Sequence, residues 1–148
     1  MNLKTRALQA LMRKVMEQHI AFNKHLGLKV ESFDQDAPKL RFDMRPELVG
    51  NPARQILHGG VISATLDVAG GFAIMLSIAG ESPVTPTSFP NMGTIDLRVD
   101  YLRPGRGKYF VATARIVRKG KRIAVTHMEL HNDEGELIAT GGAAYVVG

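Results

Sequence analysis

The stretch from residue 60 to residue 80 limits what this chain can fold into more than any other part of its sequence. Asp67 is the only charged residue within it, and the remainder is apolar or small. The stretch is about as long as a helix that crosses a bilayer. It is nevertheless rich in Gly, Ala and Ser, and the amphipathic strands on both sides would have nothing to pack against in a single-span protein. We therefore predict a helix buried inside a soluble core, covered on all sides.

Length, cysteine content and charge narrow the class of protein further. A chain of 148 residues is expected to form one domain with a single core. It contains no Cys, which excludes a disulfide framework, a thiolate nucleophile and Cys-ligated zinc, and makes the cytoplasm the expected compartment. The formal net charge of +5 favours an anionic partner such as a nucleic acid, a phosphorylated ligand or an acidic surface.

The N-terminal segment, Met1 to Asn23, begins with basic residues as a signal peptide does. Its apolar side chains, however, recur at intervals of three and four residues, and no small-residue cleavage site follows. This spacing predicts an amphipathic N-terminal helix within residues 1–25, followed by the main domain over residues 26–148.

Most of the remaining chain alternates apolar and polar residues, as half-buried strands do. The predicted strands cover residues 27–33, 40–44, 93–101, 108–118, 121–132 and 136–147. Loops are predicted over residues 47–57 and over residues 81–92, which contain Pro83, Pro86 and Pro90. Because the breaks between the last four strands are short, we expect those strands to form an antiparallel meander.

One apolar helix together with a large antiparallel sheet favours an α+β class in which the sheet curls around the helix. We predict the hotdog fold, a curved antiparallel sheet wrapped around a central buried helix, with an extra N-terminal helix.

Asp67 is the first candidate for chemistry in this helix. It lies too far from the helix start to be an N-cap, and no Lys or Arg at helical spacing neutralises it. The residues three and four positions away are all small, which leaves room for a ligand or for another backbone. Asp67 is either a general base or nucleophile, or a carboxylate satisfied by an amide or hydroxyl at a packed interface.

The second candidate is the run His58-Gly59-Gly60 at the start of the same helix. Unpaired amides at a helix N-terminus can bind a polarised carbonyl or an oxyanion, although such a run can also be a simple loop-to-helix turn. Gly59 and Asp67 are eight residues apart, about 12 Å along a helix. One chain cannot place both on the same reacting carbon, so joint action predicts a two-fold dimer with two shared sites.

Other groups of residues give weaker indications of a functional site. His127 and His131 lie on a predicted strand, about 13 Å apart, so no metal site is predicted. No nucleotide-hydrolysis motif or serine-hydrolase elbow is found. Basic residues concentrate in residues 103–108 and 118–122, which are either phosphate contacts or solvated turns. Few aromatic residues accompany them, so nucleic-acid binding is not expected.

Several of these residues together resemble the hotdog-fold acyl-CoA thioesterases of the PaaI group, in its YigI-like branch. The resemblance runs from about Gly27 to Val147 and rests on these residues: Asn51, His58-Gly59-Gly60, Asp67, Gly93-Thr94-Ile95-Asp96-Leu97 and Tyr101-Leu-Arg-Pro104. It implies that Asp67 is the catalytic carboxylate and that the Gly59 amide binds the thioester carbonyl. It also implies that Asn51 orients the thioester or water and that Thr94 holds the attacking water. The family further implies dimers, often paired into tetramers.

The expected function is hydrolysis of an acyl-CoA, with a medium- or long-chain fatty acyl or an aryl-acyl group, to free acid and CoA. His58 and Gly60 are expected to contact the substrate, and the CoA phosphates to lie near Arg118, Lys119, Lys121 and Arg122. No metal or redox cofactor, no nucleic acid and no stable membrane insertion is expected. The alternatives are a non-catalytic acyl-CoA-binding module and a hydratase or dehydratase, which would be expected to carry a His with an acid on the helix.

Overall fold

The computed structural model describes residues 1–81 and 91–148. In chain order, the elements are α1 (Leu3–Lys14), a π-helix (Val15–His19), α2 (Ala21–Leu26), β1 (Lys29–Ser32), β2 (Lys39–Asp43), a 3-10 helix (Pro46–Leu48), β3 (Val49–Asn51), β4 (Ile56–Leu57), α3 (Gly59–Glu81), β5 (Gly93–Tyr101), β6 (Tyr109–Lys119), β7 (Ile123–Asn132) and β8 (Leu137–Val146). The predicted loop at Pro83, Pro86 and Pro90 lies outside the described residues.

Six of the strands form one antiparallel sheet in the order β1-β2-β6-β7-β8-β5. The inward positions of β6, β7 and β8 carry apolar or small side chains, and α3 packs against these strands and against β5. The predicted α+β class, with an antiparallel sheet around a central helix, is confirmed.

The prediction of a four-strand meander was wrong. Strands β6, β7 and β8 pair in succession, but β5 pairs with β8 at the far edge of the sheet. Residues 102–108 therefore cross the end of the sheet instead of forming a tight turn, and the amides of Leu102 and Arg103 donate to the carbonyl of Ile138. Seven residues can span about 23 Å, more than the roughly 14 Å between strands three positions apart.

The segment predicted as a loop over residues 47–57 also contains regular structure. Strands β3 and β4 pair as a short hairpin directly before α3, and the amide of His58 donates to the carbonyl of Leu48 (2.8 Å). The strands are too short for an alternating pattern to show in the sequence. The hairpin fixes the point at which α3 begins.

Helix α3 is long and apolar enough to cross a membrane, but most of its apolar stretch is buried within the protein. Leu66, Ile74 and Phe72 on this helix are almost fully buried in the core. A half-buried stripe remains along its other side, at Ser63, Ala64, Asp67, Val68 and Gly71. The helix is thus the core helix of the fold, although the residues that the structure describes do not cover it on all sides.

The N-terminal segment is helical but not one continuous helix. It passes from α1 into the π-helix and is interrupted at Ile20, whose backbone is extended (φ −82°, ψ 101°). Met12 and Met16 are buried, so the segment is docked on the core by its apolar face. The interruption could not be read from the apolar spacing, which continues through Ile20.

Candidate active site

The N-terminus of α3 is built by His58. Its carbonyl accepts hydrogen bonds from the amides of Val61 and Ile62, and its imidazole Nδ1 accepts one from the amide of Gly60 (2.8 Å). A Cβ at residue 60 would lie only 2.8 Å from Nδ1, so Gly60 is needed for this contact. Among the described residues, the amide of Gly59 meets no acceptor. This N–H is therefore left available to a ligand, at the positive end of the helix dipole.

Tyr101, at the end of β5, covers the same helix start. Its hydroxyl donates to the carbonyl of Gly59 (3.0 Å), and a Cβ at residue 59 would meet its ring at 3.4 Å. The Tyr101 side chain is 54% exposed, although it ends on a backbone group of the candidate site. Sequence reasoning gave Tyr101 no role in the site.

The carboxylate of Asp67 is held by two hydroxyl groups. Thr94 on β5 donates to Oδ1 (2.8 Å), and Tyr145 on β8 donates to the same oxygen (3.2 Å) and to the main-chain carbonyl of Asp67 (2.7 Å). No described residue donates to Oδ2. The two hydroxyls therefore fix the orientation of the carboxylate and leave its second oxygen free to accept a proton.

Tyr145 remains a proton donor over a wide range of pH. It is only 2% exposed, and burial raises its pKa above the usual value, with further contributions from the charge of Asp67 and the hydrogen bond to it. Gly70 makes this placement possible, since a Cβ there would overlap the Tyr145 hydroxyl. Sequence reasoning missed Tyr145, although a buried Tyr needs a partner for its hydroxyl and Asp67 is the one charged residue in the interior of the facing helix, which otherwise carries only the terminal Glu81.

A cavity of about 180 Å³ opens beside Asp67 and Thr94. Its other walls are mainly apolar and come from α3, from Met92 and from the N-terminal helical segment. The site thus combines an oriented carboxylate with an apolar compartment large enough for part of a hydrocarbon chain.

The two halves of the site lie apart within one chain. Gly59 and Asp67 are separated by eight positions of α3, about 12 Å along its axis. Both are connected to β5, Asp67 through Thr94 and Gly59 through Tyr101. Strand β5 is an edge strand of the sheet, and most of its residues are exposed.

A comparison with protein families finds that the thioesterase superfamily model matches residues 54–139. The chain belongs to the thioesterase superfamily. The medium/long-chain acyl-CoA thioesterase YigI of Escherichia coli K12 is 43% identical over 143 residues, which cover 93% of this thioesterase and 92% of that protein. The predicted resemblance is confirmed.

Solved structures give the same result. A protein of Shewanella oneidensis related to the thioesterase superfamily has a TM-score of 0.88 and 39% identity, with full coverage of both chains. The PaaI protein of Escherichia coli, from the phenylacetic acid degradation operon, has a TM-score of 0.77 at 22% identity, with coverage of 99% of this thioesterase and 96% of that chain. The similarity to PaaI shows a shared fold.

The thioesterase structure brings together two groups of the predicted site residues. Asp67 and Thr94 are in direct contact, and His58, Gly59 and Gly60 form the start of α3. Asn51 lies in the β3–β4 hairpin directly before α3, and its side-chain oxygen accepts hydrogen bonds from the amides of Ala53 and Arg54 within the turn of that hairpin.

The basic residues predicted to contact CoA lie beyond the other end of α3. The Lys119 ammonium is bound by Ser77 (2.6 Å) and by the Glu81 carboxylate (2.7 Å). Arg118, Lys121 and Arg122 are exposed. Of these four basic residues, Lys119 therefore joins β6 to α3, and the other three face solvent.

Proposed function

We propose that this thioesterase hydrolyses acyl-CoA thioesters with medium- or long-chain acyl groups to the free acid and CoA. The observation that carries the proposal is the Asp67 carboxylate, fixed by Thr94 and Tyr145 at the wall of an apolar cavity. The similarity to the E. coli acyl-CoA thioesterase supports the substrate class. A module that only bound acyl-CoA would not need an oriented carboxylate there.

In the proposed mechanism, Asp67 Oδ2 takes a proton from a water molecule as the water oxygen attacks the thioester carbonyl carbon. Negative charge then develops on the carbonyl oxygen, and the Gly59 amide at the N-terminus of α3 stabilises it. The carbon–sulfur bond breaks, and the proton held by Asp67 passes to the leaving thiolate. The products are the carboxylic acid and the CoA thiol, and no redox step occurs. Thr94 and Tyr145 keep the carboxylate oriented throughout.

The proposed active site is shared between two copies of the chain, because one copy holds Gly59 and Asp67 about 12 Å apart. Two unpaired β5 edges can join as antiparallel neighbours around a two-fold axis. The half-buried stripe on α3 includes Asp67, which contacts β5 through Thr94, and the same pairing would cover this stripe.

We propose a pairing centred on Leu97. Asp96 of each copy then faces Arg98 of the other, which places opposite charges side by side. Tyr101 of one copy comes within two strand positions, about 7 Å, of Thr94 of the other. Because Thr94 holds Asp67 and Tyr101 holds Gly59, this register brings Asp67 to the Gly59 of the second copy.

The absence of Cys from the sequence makes the register simple to test. A single Leu97→Cys variant should form an intermolecular disulfide on mild oxidation, since residues on the axis of such a pair are about 4.5–5.5 Å apart. Asp43→Cys, on the exposed part of β2, is the control and should remain unlinked. Equal cross-linking of both variants would overturn the proposed pairing.

The CoA phosphates are proposed to lie near Arg118, Lys121 and Arg122. Ser77, which holds the neighbouring Lys119, is ten positions from Asp67 along α3, about 15 Å.

A pairing of dimers into tetramers is proposed through the outer face of the sheet, where Val117, Ile123, Val125 and Val146 are exposed. A cytoplasmic location is proposed from the Cys-free sequence.

Release of free thiol from a series of acyl-CoAs tests the function. The wild-type protein should turn over medium- and long-chain substrates, and Asp67→Asn should reduce turnover on the order of 10²-fold or more. Asp43→Asn removes the same charge from an exposed position on β2 and should leave turnover unchanged. Substrate binding without thiol release by the wild type would favour the binding module instead.

A further inference from the structure

The N-terminal helical segment forms one wall of the cavity beside Asp67. It contributes Met16, Ile20 and Asn23, and faces Phe72 and Met75 on α3. Methionine and isoleucine side chains suit the variable shape of a hydrocarbon chain. This wall comes from a part of the chain that the match to the superfamily model, residues 54–139, does not include.

The wall is held firmly in place. Glu17 in the π-helix accepts hydrogen bonds from the amide of Val30 on β1 (2.9 Å) and from Arg13 (3.1 Å). Arg13 also donates to the carbonyl of Val30 (2.8 Å) and lies over the ring of Phe33. The N-terminal segment is therefore joined to β1, at the edge of the sheet.

Asn23 is the one polar side chain of this wall, and only one of the two polar atoms of its amide group has a hydrogen-bond partner. The residue is 1% exposed, and its Nδ2 donates to the carbonyl of Met16 (3.1 Å), which fixes the orientation of the amide. Its Oδ1 is buried and has no hydrogen-bond partner among the described residues. A buried acceptor without a donor is costly, so the ligand of this cavity is expected to bring one.

We infer that the cavity takes the acyl chain of the substrate and that Asn23 Oδ1 accepts a hydrogen bond from a hydroxyl group on that chain. The inference rests on the proposed function and specifies its substrate class as hydroxyacyl thioesters. An alkyl chain fits the apolar walls, and a hydroxyl is the smallest uncharged donor that such a chain can carry. Asn23 is then a specificity-determining residue, whereas Asp67 performs the chemistry on any chain that fits.

Paired substrates test the inference. For the wild-type protein, kcat/KM is measured with unsubstituted acyl-CoAs and with acyl-CoAs of the same length that carry a hydroxyl at carbon 3 or farther along the chain. At least one hydroxylated substrate should be preferred, and Asn23→Leu should reduce this preference roughly five- to tenfold, the effect of one hydrogen bond. Ile20→Val alters the same wall without a polar change and should preserve the preference.

Two results would overturn the inference. One is the absence of any preference for a hydroxylated chain in the wild type. The other is an equal loss for both members of each pair in Asn23→Leu, which would assign Asn23 to a bound water or to the fold.

A binding measurement covers the cases in which the variant does not fold or no substrate is hydrolysed. Free hydroxy fatty acids should raise the Tm of the wild-type protein more than fatty acids of equal length do. If hydroxy acids bind better while no thioester is cleaved, the proposed function fails and the cavity assignment stands. Equal shifts for both acids would contradict the cavity assignment.

Discussion

Replacement of Tyr145 by Phe removes the hydroxyl that connects β8 to Asp67 and little else. In the wild-type protein this hydroxyl donates to the main-chain carbonyl of Asp67 (2.7 Å) and to its carboxylate (3.2 Å), and the side chain is fully buried. A hydrogen bond to a charged group contributes about 1.5–3 kcal/mol. We therefore expect Tyr145→Phe to lower the free energy of unfolding by about 2 kcal/mol at pH 7, and kcat to fall on the order of tenfold because Asp67 loses part of its orientation.

The dependence on pH identifies the interaction. The pKa of Tyr145 is raised in the folded protein, whereas an unfolded Tyr titrates near 10. Above pH 10 the unfolded chain therefore loses a proton that the folded protein keeps, so the stability of the wild type falls as pH rises. This loss amounts to about 1 kcal/mol by pH 11 and is absent from Tyr145→Phe. The stability difference between the two proteins should shrink from about 2 to about 1 kcal/mol between pH 7 and pH 11.

Urea denaturation at fixed protein concentration between pH 7 and pH 11 measures both effects. Tyr109→Phe is the matched control: its ring is half-buried on β6 under Arg41, and its hydroxyl makes no hydrogen bond to the described residues. The control should change stability by less than about 0.5 kcal/mol at pH 7. A Tyr145→Phe protein as stable as wild type at pH 7, with the same decline at alkaline pH, would refute the role assigned to this hydroxyl.

Three further outcomes follow from the site. His58→Ala removes the cap on the Gly60 amide and should lower the free energy of unfolding by about 1 kcal/mol. His58→Asn can still cap this amide and should retain most of the wild-type stability. Equal Tm values for the two variants would count against the cap. Neutralising Arg118, Lys121 and Arg122 with Gln should raise KM for acyl-CoA and weaken its salt dependence without changing kcat. The same charge removed from exposed Lys4, Arg6 and Lys14 is the control, and an equal effect there would exclude phosphate binding at the turn. In a single turnover in ¹⁸O-water, label should enter the acid product and not Asp67; label in Asp67 would show a covalent acyl-aspartate.

The sequence was sufficient for the core of the fold because its strongest patterns report burial directly. The apolar run around Asp67 and the period-two strands after Gly93 correspond to α3 and to β5–β8. The same patterns did not predict the order of the strands in the sheet. A short break at Pro104-Gly105 suggested a hairpin, but residues 102–108 cross the end of the sheet, and β5 pairs with the last strand. Local spacing does not record which edge a strand joins.

The candidate site also contains some residues that the sequence identified and others that it did not. Asp67 and Gly59 could be identified because an uncompensated charge and a glycine pair are unusual at those helix positions. Tyr145 and Asn23 were not identified, since each occupies a position that the alternating or helical pattern assigns to the core. Their importance depends on the tertiary structure, which places Tyr145 against Asp67 and Asn23 in the wall of the cavity.

The central claim is that Asp67 of one copy acts with the Gly59 amide of another, and complementation between inactive variants tests it most directly. Gly59→Pro removes the amide proton at a helix position that tolerates proline, and the Tyr101 ring lies at ordinary contact distance from the added Cβ. Gly59→Ala keeps the amide and should remain active. When Asp67→Ala and Gly59→Pro subunits are mixed and exchange, each heterodimer contains one intact site and one with both lesions. Activity should return to about half of the wild-type value per heterodimer. Heterodimers that form, as differential tags would show, but remain as inactive as their parents would contradict the shared site.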